Sequence, residues 1–369
     1  MTERKKALCL LHIFPSFAMG GQQRRLASLV AGLGDDFSHR ILSLDGETGA
    51  SALLDPARAR AEAFPFAKSS LVSFQNLKRF GGILREETPD VLCTYNWGSL
   101  EAAIANRLGP KVPHVHHEDG FGPDELAGEQ KARRILARRA LLKKSFVAVP
   151  STGLFRIANE VWRLDPARVS RNPVGVDLSR YAAPARLYDR APVTVAAIGA
   201  LRKEKNFARL IAAFARADQG KRARLVIYGD GPQGDALRGL AAQSPAADRI
   251  SLAGPTAAAQ AALAAADIFA LSSDTEQTPI SLIEAMAAGL PAVATDVGDI
   301  RAMVSAANAA FIAAAGDDDA YAAALAALIE DAALRERLGR ANLARSGAFD
   351  ESAMIESFRA LYMRASGRT

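Results

Sequence analysis

The sequence predicts an α/β protein with two doubly wound parallel-sheet domains. Three observations carry the prediction. The chain has 369 residues, too many for one ordinary domain and enough for two of about 150–200. Short apolar runs recur in both halves without the strict alternation of a half-exposed sheet, as in parallel strands covered on both faces. Segments of helical periodicity separate those runs, as βα units require.

Taken in order, residues 7–14 read as the first strand. Arg4, Lys5 and Lys6 ahead of it loosely mimic a secretion signal, but no small-residue cleavage site follows and Gly20 and Gly21 come soon after. A helix over 22–32 comes next, then strands at 40–44, 91–95, 112–116 and 146–149. The stretch 181–192 carries Pro184, Pro192 and several charges and reads as a linker. A fresh start follows, with strands at 193–198, 224–228, 250–252, 268–271 and 292–295, a helix over 206–217 and a last amphipathic helix over 351–364. The expected domains are 1–185 and 186–350, with 351–369 packing back on the first.

Composition sets further bounds. Apolar residues make up 49% and charged residues 23%, which excludes a disordered or fibrous chain. Cys9 and Cys93 lie inside apolar runs and read as buried free thiols, with no disulfide framework and no Cys/His metal spacing. That usage fits a reducing cytoplasm. No apolar run reaches the roughly 20 residues that span a bilayer. The net charge of +6 is uneven: residues 1–190 hold 28 basic and 20 acidic groups, and the remainder 18 and 20. The basic excess of the first half points to an anionic partner there.

The strongest local pattern runs from Ser272 to Pro291, beginning where strand 268–271 ends. Ligands of open α/β sheets gather at that carboxyl edge. Thr278 is expected to cap a helix, Pro279 to take its first turn, and Gly289 and Pro291 to stop it. Free amides at the helix start and its dipole favour phosphate. Glu276, just before the helix, is placed to accept bonds from sugar hydroxyls, and Glu284, about one and a half turns in, to reach a ribose diol. A second pattern follows strand 193–198, where Gly199 allows a close turn and Arg202 and Lys205 flank the next helix start. Fixed cations of this kind neutralise a diphosphate leaving group without a metal. Gly229, Asp230, Gly231 and Pro232 follow the next strand, and Gly254 and Pro255 the one after. All four segments end strands of one expected sheet, so they converge on one edge.

At this point the chain resembles the GT-B-fold glycosyltransferases of family four, which include many bacterial lipopolysaccharide, exopolysaccharide and glycolipid transferases. The resemblance rests on Gly20 and Gly21 with the helix 22–33, Asn172 to Asp177, Gly199 to Lys205, Gly229 to Pro232, and Glu276 to Pro291, all in the family's order. It implies two Rossmann-like domains facing a central cleft, the first for acceptor and the second for donor. It implies that Arg202 and Lys205 bind the donor diphosphate, that Glu284 holds the ribose, and that Glu276 with the segment Gln277, Thr278, Pro279 and Ile280 positions the transferred sugar. Gly21 would let its loop approach the donor, Gly199 and Gly229 would line the site, and the base would lie near Gly254 and Pro255. The donor would be a UDP- or GDP-sugar, transferred with retention and with neither bound metal nor cofactor. The family often has a histidine after a strand of the first domain, near the reacting carbon. Here His114, His116, His117, Glu118 and Asp119 compete for that place, with His117 favoured because it opens the loop while His114 and His116 share a strand face.

Residues 131–144 carry seven basic groups and no acid: Lys131, Arg133, Arg134, Arg138, Arg139, Lys143 and Lys144. Ile135 and Leu136 are expected to face the core, and Arg134 and Arg138 to project outward. Each basic residue near an anionic lipid surface is worth about 1 kcal/mol, which points to peripheral binding at the inner face of the cell membrane, near a lipid-borne acceptor. No nucleic-acid recognition motif accompanies the cluster. The rival readings are a catalytically silent sugar-nucleotide-binding protein and another GT-B enzyme such as a nucleotide-sugar epimerase. A dinucleotide-dependent oxidoreductase is disfavoured because no G-x-G-x-x-G follows the first strand.

Overall fold

The computed structural model describes residues 7–67, 72–121, 130–181, 188–189, 191–256 and 258–368. The chain divides into two compact units, Met1–Val174 with Glu351–Thr369, and Gly175–Asp350. The expected boundary at 185/186 lies outside the described residues.

The first unit holds seven strands: β1 (Leu8–Phe14), β2 (Phe37–Ser43), β3 (Ala59–Ala63), β4 (Val91–Tyr95), β5 (His114–His117), β6 (Phe146–Val149) and β7 (Val169–Arg171). They form one parallel sheet of order β3-β2-β1-β4-β5-β6-β7. Its helices are α1 (Gly21–Leu33), α2 (Phe74–Glu87), α3 (Leu100–Leu108), α4 (Ala132–Leu142) and α5 (Thr152–Arg156). The second unit holds β8 (Val193–Ile198), β9 (Ala223–Tyr228), β10 (Ile250–Gly254), β11 (Ile268–Leu271), β12 (Ala292–Thr295) and β13 (Ile312–Ala313), parallel in the order β10-β9-β8-β11-β12-β13. Its helices are α6 (Phe207–Ala217), α7 (Gly234–Gln243), α8 (Ala259–Ala264), α9 (Ile280–Ala287), α10 (Ile300–Met303), α11 (Asp318–Glu330) and α12 (Ala332–Ser346). The last helix, α13 (Glu351–Ser366), returns to the first unit and packs on α1, β4 and β5.

Both sheets are covered on both faces, which is why their strands read as unbroken apolar runs. Alternate residues of β1 go opposite ways. Leu8, Leu10 and Phe14 join Leu26, Leu29 and Leu33 of α1, while Leu11 and Ile13 join Phe80 and Leu84 of α2. In the second unit Val193, Val195 and Ala197 of β8 meet Phe207, Leu210, Ile211 and Phe214 of α6 and Tyr321, Leu325 and Leu328 of α11. The α6 residues recur at helical spacing and form one apolar stripe. Strand order reverses between β1 and β4 and again between β8 and β11. At such a point neighbouring loops diverge to opposite faces and leave a crevice at the carboxyl edge.

Three strands escape the sequence reading. β3, β7 and β13 all lie at sheet edges, and the last two have three and two residues. β3 alternates Ala with Arg60 and Glu62, so it lacks the apolar run that marks a central strand. Of the two thiols, Cys93 is buried as expected and Cys9 is only partly so; both are free.

Met354, Phe358, Leu361 and Tyr362 of α13 complete the first core. Phe358 is 1% exposed, so Phe358→Ala should cost about 3–5 kcal/mol of stability. Urea denaturation checks this; a loss below about 1 kcal/mol would mean that α13 is not part of that core.

Candidate functional site

In the second unit, parallel strands deliver four turns to one edge, and the backbone ties them together. After β8, Gly199 N–H donates to Tyr228 O at 3.0 Å and Leu201 N–H to Asp230 O at 2.9 Å. After β9, Gly229 N–H donates to Gly254 O, at the end of β10, at 2.8 Å. Gly229 has no substitute: a Cβ there would lie 1.9 Å from the Gly199 carbonyl oxygen. Gly231 meets the Leu201 backbone in the same way, a Cβ there lying 2.8 Å from its carbonyl oxygen. Pro255 is exposed at the end of the β10 turn.

The turns after β8 and β11 are joined by side chains. Asp274 N–H donates to Glu204 O at 2.8 Å, and Ser272 Oγ to Lys205 O at 3.0 Å. Asn206 Nδ2 donates to both Asp274 carboxylate oxygens, and Arg209 Nη1 to one of them at 2.6 Å. This lacing brings Lys205 Nζ to 2.5 Å from Glu276 Oε1, where Ser273 Oγ also donates at 2.7 Å. The Glu276 side chain is only 10% exposed. Arg202 lies exposed in the same turn. A short 3₁₀ turn, Lys203–Lys205, separates it from α6, whose start is capped by Asn206 rather than flanked directly by the two cations.

The helix after Glu276 begins later than expected. Pro279, not Thr278, is the capping residue of α9, no side chain caps it, and the helix has eight residues. Proline fixes its own backbone angle and prepares the first turn in place of a side-chain cap. Gln277 and Thr278 precede the cap and are half-buried, Pro279 is buried, and Ile280 opens the helix. Glu284 lies on α9, 7% exposed, and Tyr181 Oη donates to its Oε1 at 2.7 Å. Neither glutamate is a solvated surface group.

Sequence reasoning missed Gly298, which follows β12 at the same edge. Its φ is +61°, and a Cβ there would lie 2.4 Å from the Glu276 carbonyl oxygen. Asp299 N–H then donates to Gln277 O at 3.0 Å. A glycine in the turn shortly after a strand, three residues past Thr295, was the available signal. Tyr181 was missed because 103 residues separate it from Glu284.

In the first unit, His117 does not open a loop. It is the last residue of β5, paired with Tyr95 and Ala148 and 1% exposed. Its ring stacks on Tyr95 at 4.4 Å and on Phe358 at 5.5 Å, and its Nε2 lies 3.4 Å from Tyr362 Oη. The rival acids are engaged elsewhere. Asp119 accepts from Arg25 Nη2 at 2.7 Å and Gln22 Nε2 at 2.5 Å, and its N–H donates to Asn96 Oδ1 at 2.9 Å. These bonds fix the loop after β5 to α1, the helix that Gly21 opens. Glu118 is fully buried and pairs with Arg138 Nε at 3.2 Å. His114 and His116 share the Thr94 hydroxyl, each at 2.8 Å. Among the described residues, no three His, Cys, Asp or Glu side chains are grouped to hold a metal.

The basic helix differs from its expected orientation. Arg138 is buried, its guanidinium 5.2, 5.3 and 4.8 Å from the rings of Trp97, Phe121 and Trp162. The buried Glu118 carboxylate requires a countercharge and the rings stabilise the cation, so the helix turns Arg138 inward. Arg134 lies over Trp97, and Arg139 donates to Val161 O. Leu136 is 61% exposed instead of facing the core. Lys131, Arg133, Lys143 and Lys144 are exposed.

Comparison with known proteins now decides the family. The model described as glycosyl transferases group 1 matches residues 186–345, and that of the glycosyl transferase 4-like domain matches 20–175. The chain is 31% identical over 345 residues to the D-inositol 3-phosphate glycosyltransferase of Kineococcus radiotolerans, covering 78% of this chain and 79% of that protein. The chain belongs to the group 1 glycosyl transferases, family four, of GT-B fold.

The corresponding protein of Stackebrandtia nassauensis is 28% identical over 320 residues, covering 77% of this chain and 69% of that one. Among solved structures, HepE of Anabaena in complex with UDP-glucose superposes with a TM-score of 0.79 at 18% identity, over 98% of this chain and 100% of that one. Sucrose-phosphate synthase from Thermosynechococcus elongatus gives 0.79 at 18% identity, over 97% and 98%. At these identities the structural likeness carries the fold. The chain is thus a glycosyltransferase. Among the described residues no helix is long and apolar enough to cross a membrane.

The histidines of this glycosyltransferase give its first unit a defined acid response. Burial, then the neighbouring His39, holds His12 well below the ordinary 6.5; burial puts His39 at about 4. Burial, then Arg25 and the other histidines, holds His117 well below its ordinary value. Each is neutral when folded and gains a proton on unfolding below about pH 6.5. Their stabilisation is complete above that pH and is lost as pH falls. Burial, then His116, puts His114 at about 3, and the same reasoning applies to it. Between pH 7.5 and 5.5 the four should remove about 5–6 kcal/mol, at about 1.4 kcal/mol each. Denaturant unfolding at the two pH values measures this, and equal stability would show that the rings charge freely in the fold.

Proposed function

We propose that the protein transfers a sugar, with retention, from a UDP- or GDP-sugar held by the second unit to a glycan or lipid-linked acceptor bound by the first. The observation that carries this reading is the Lys205–Glu276 pair beside the α9 tip. It places a cation for a diphosphate and a carboxylate for a sugar side by side. Arg202 in the same turn supplies the second cation of the clamp. Glu284 takes the ribose hydroxyls, Gly199 and Gly229 permit close approach, and the base lies by Gly254 and Pro255. The UDP and UDP-glucose complexes of HepE support a nucleotide-sugar donor.

In the proposed reaction the bond from the anomeric carbon to the diphosphate oxygen breaks. Its electron pair goes to the leaving nucleoside diphosphate, which Arg202, Lys205 and the helix tip stabilise. The acceptor hydroxyl oxygen forms the new bond on the same face, and its proton passes to the leaving phosphate oxygen. The sequence holds residues for this step without a resident metal or cofactor. His117 is the proposed first-unit group nearest the reacting carbon. As a neutral imidazole it can accept or donate a hydrogen bond and adds no charge.

The proposal extends to peripheral binding at the cytoplasmic face of a membrane. The support is narrower than the sequence suggested: exposed Lys131, Arg133, Lys143 and Lys144, with exposed Leu136. About 1 kcal/mol per cation makes four of them a weak but measurable anchor.

Two experiments test these readings. Glu276→Ala should abolish transfer while UDP or GDP, titrated calorimetrically, binds as well as or better than to wild type, because Lys205 is released from its partner. Normal transfer by that variant would remove Glu276 from its role. In liposome flotation the protein should rise with vesicles containing anionic lipid and not with neutral ones; equal behaviour with both removes the membrane reading.

A further inference from the structure

Glu284 is a carboxylate within the buried stretch 282–287 of α9, whose other residues are all apolar. Placing such a group there costs free energy unless hydrogen bonds hold it. Tyr181 provides one from 103 positions earlier in the chain, its hydroxyl 2.7 Å from Oε1. The length is that of a charge-assisted bond. Both side chains are only 7% exposed, so water competes weakly for either.

The phenol arrives on a fastened segment. Val176 N–H donates to Phe349 O at 3.0 Å, and Val176 bridges Asp350 in parallel register. Asp177 Oδ1 then accepts from Ser179 N–H at 3.1 Å and from its Oγ at 2.5 Å. These bonds close the turn Leu178–Tyr181, which packs against α8 and α9. The position of the phenol is therefore set by backbone ties at the start and end of the second unit.

We infer that Tyr181 is a positioning residue for donor binding, holding the Glu284 carboxylate in the orientation that receives the ribose hydroxyls. A carboxylate has about four acceptor directions. The bond from Tyr181 to Oε1 restricts the rotamers open to the carboxylate and so the directions in which it can meet a vicinal diol. Phenylalanine at 181 would fill the same space and lose that restriction. The inference rests on the proposed ribose role of Glu284, and the test separates the two.

The measurement is the ratio of dissociation constants for UDP, GDP and ADP against their 2′-deoxy counterparts, by calorimetry on the full chain. Wild type should prefer the ribonucleotide of whichever base it binds. Glu284→Ala, with Glu284→Gln as its isosteric companion, should abolish that preference. Tyr181→Phe should reduce it roughly fivefold to tenfold, lower the melting temperature by a few degrees as the buried carboxylate loses one donor, and have no further effect on the preference in the Glu284→Ala background. Loss of the preference in Glu284→Ala but not in Tyr181→Phe would overturn the positioning role and leave the ribose reading standing. Equal weakening of ribo- and deoxyribonucleotides by Tyr181→Phe would make the residue merely structural and overturn the inference. A preference that survives in Glu284→Ala would overturn the ribose reading, and this inference with it.

Discussion

The contact on which the second unit's carboxyl-edge arrangement depends is the ion pair of Lys205 and Glu276, 71 residues apart in sequence and 2.5 Å apart in space. Two parallel strands, β8 and β11, end side by side and bring the charges together. Ser273, Asn206, Asp274 and Arg209 then lace the two turns so that neither charge can drift. The pair also solves a solvation problem. A sheltered carboxylate and a half-sheltered ammonium would each be costly alone. In the proposed reaction a donor exchanges one partner for another, its diphosphate taking the cation and its sugar the anion. The sugar hydroxyls would then supply the hydrogen bonds that the buried carboxylate loses with the cation.

The first unit handles its charges differently. Glu118 and Arg138 meet in the interior, and aromatic rings on three sides surround the guanidinium. His117 sits between Tyr95 and Phe358, and Asp119 bonds to Arg25, Gln22 and the Asn96 side chain. Much of this chemistry is spent on rigidity. A histidine kept neutral by burial and stacked against two rings has its orientation fixed. The same burial makes the unit sensitive to acid.

The central strands and the donor-side turns were legible in the sequence because both leave local marks. A strand covered on both faces is a solid apolar run, and a turn that meets another backbone needs glycine, as at Gly229 and Gly231. The edge strands β3, β7 and β13 left no such mark, since an edge needs only a few residues and tolerates Arg60 and Glu62. Orientation was harder still. The α4 sequence allowed either face to turn inward, and what decided it was Glu118, on a different element. Tyr181 and Gly298 likewise act on residues far from them in the chain. Local periodicity carries no record of such partners.

The second unit begins and ends at one place, where Val176 pairs with Asp350. It is thus an insertion into the first, whose final piece is α13. During synthesis the ribosome must deliver the whole of 175–350 before Met354, Phe358 and Tyr362 exist to close the earlier core. At roughly 5–20 residues per second, the N-terminal sheet waits many seconds with one side covered by α1 but not yet by α13, while the later-made domain has already had the chance to fold. The histidine pocket, encoded near the start, is among the last features of the enzyme to be finished.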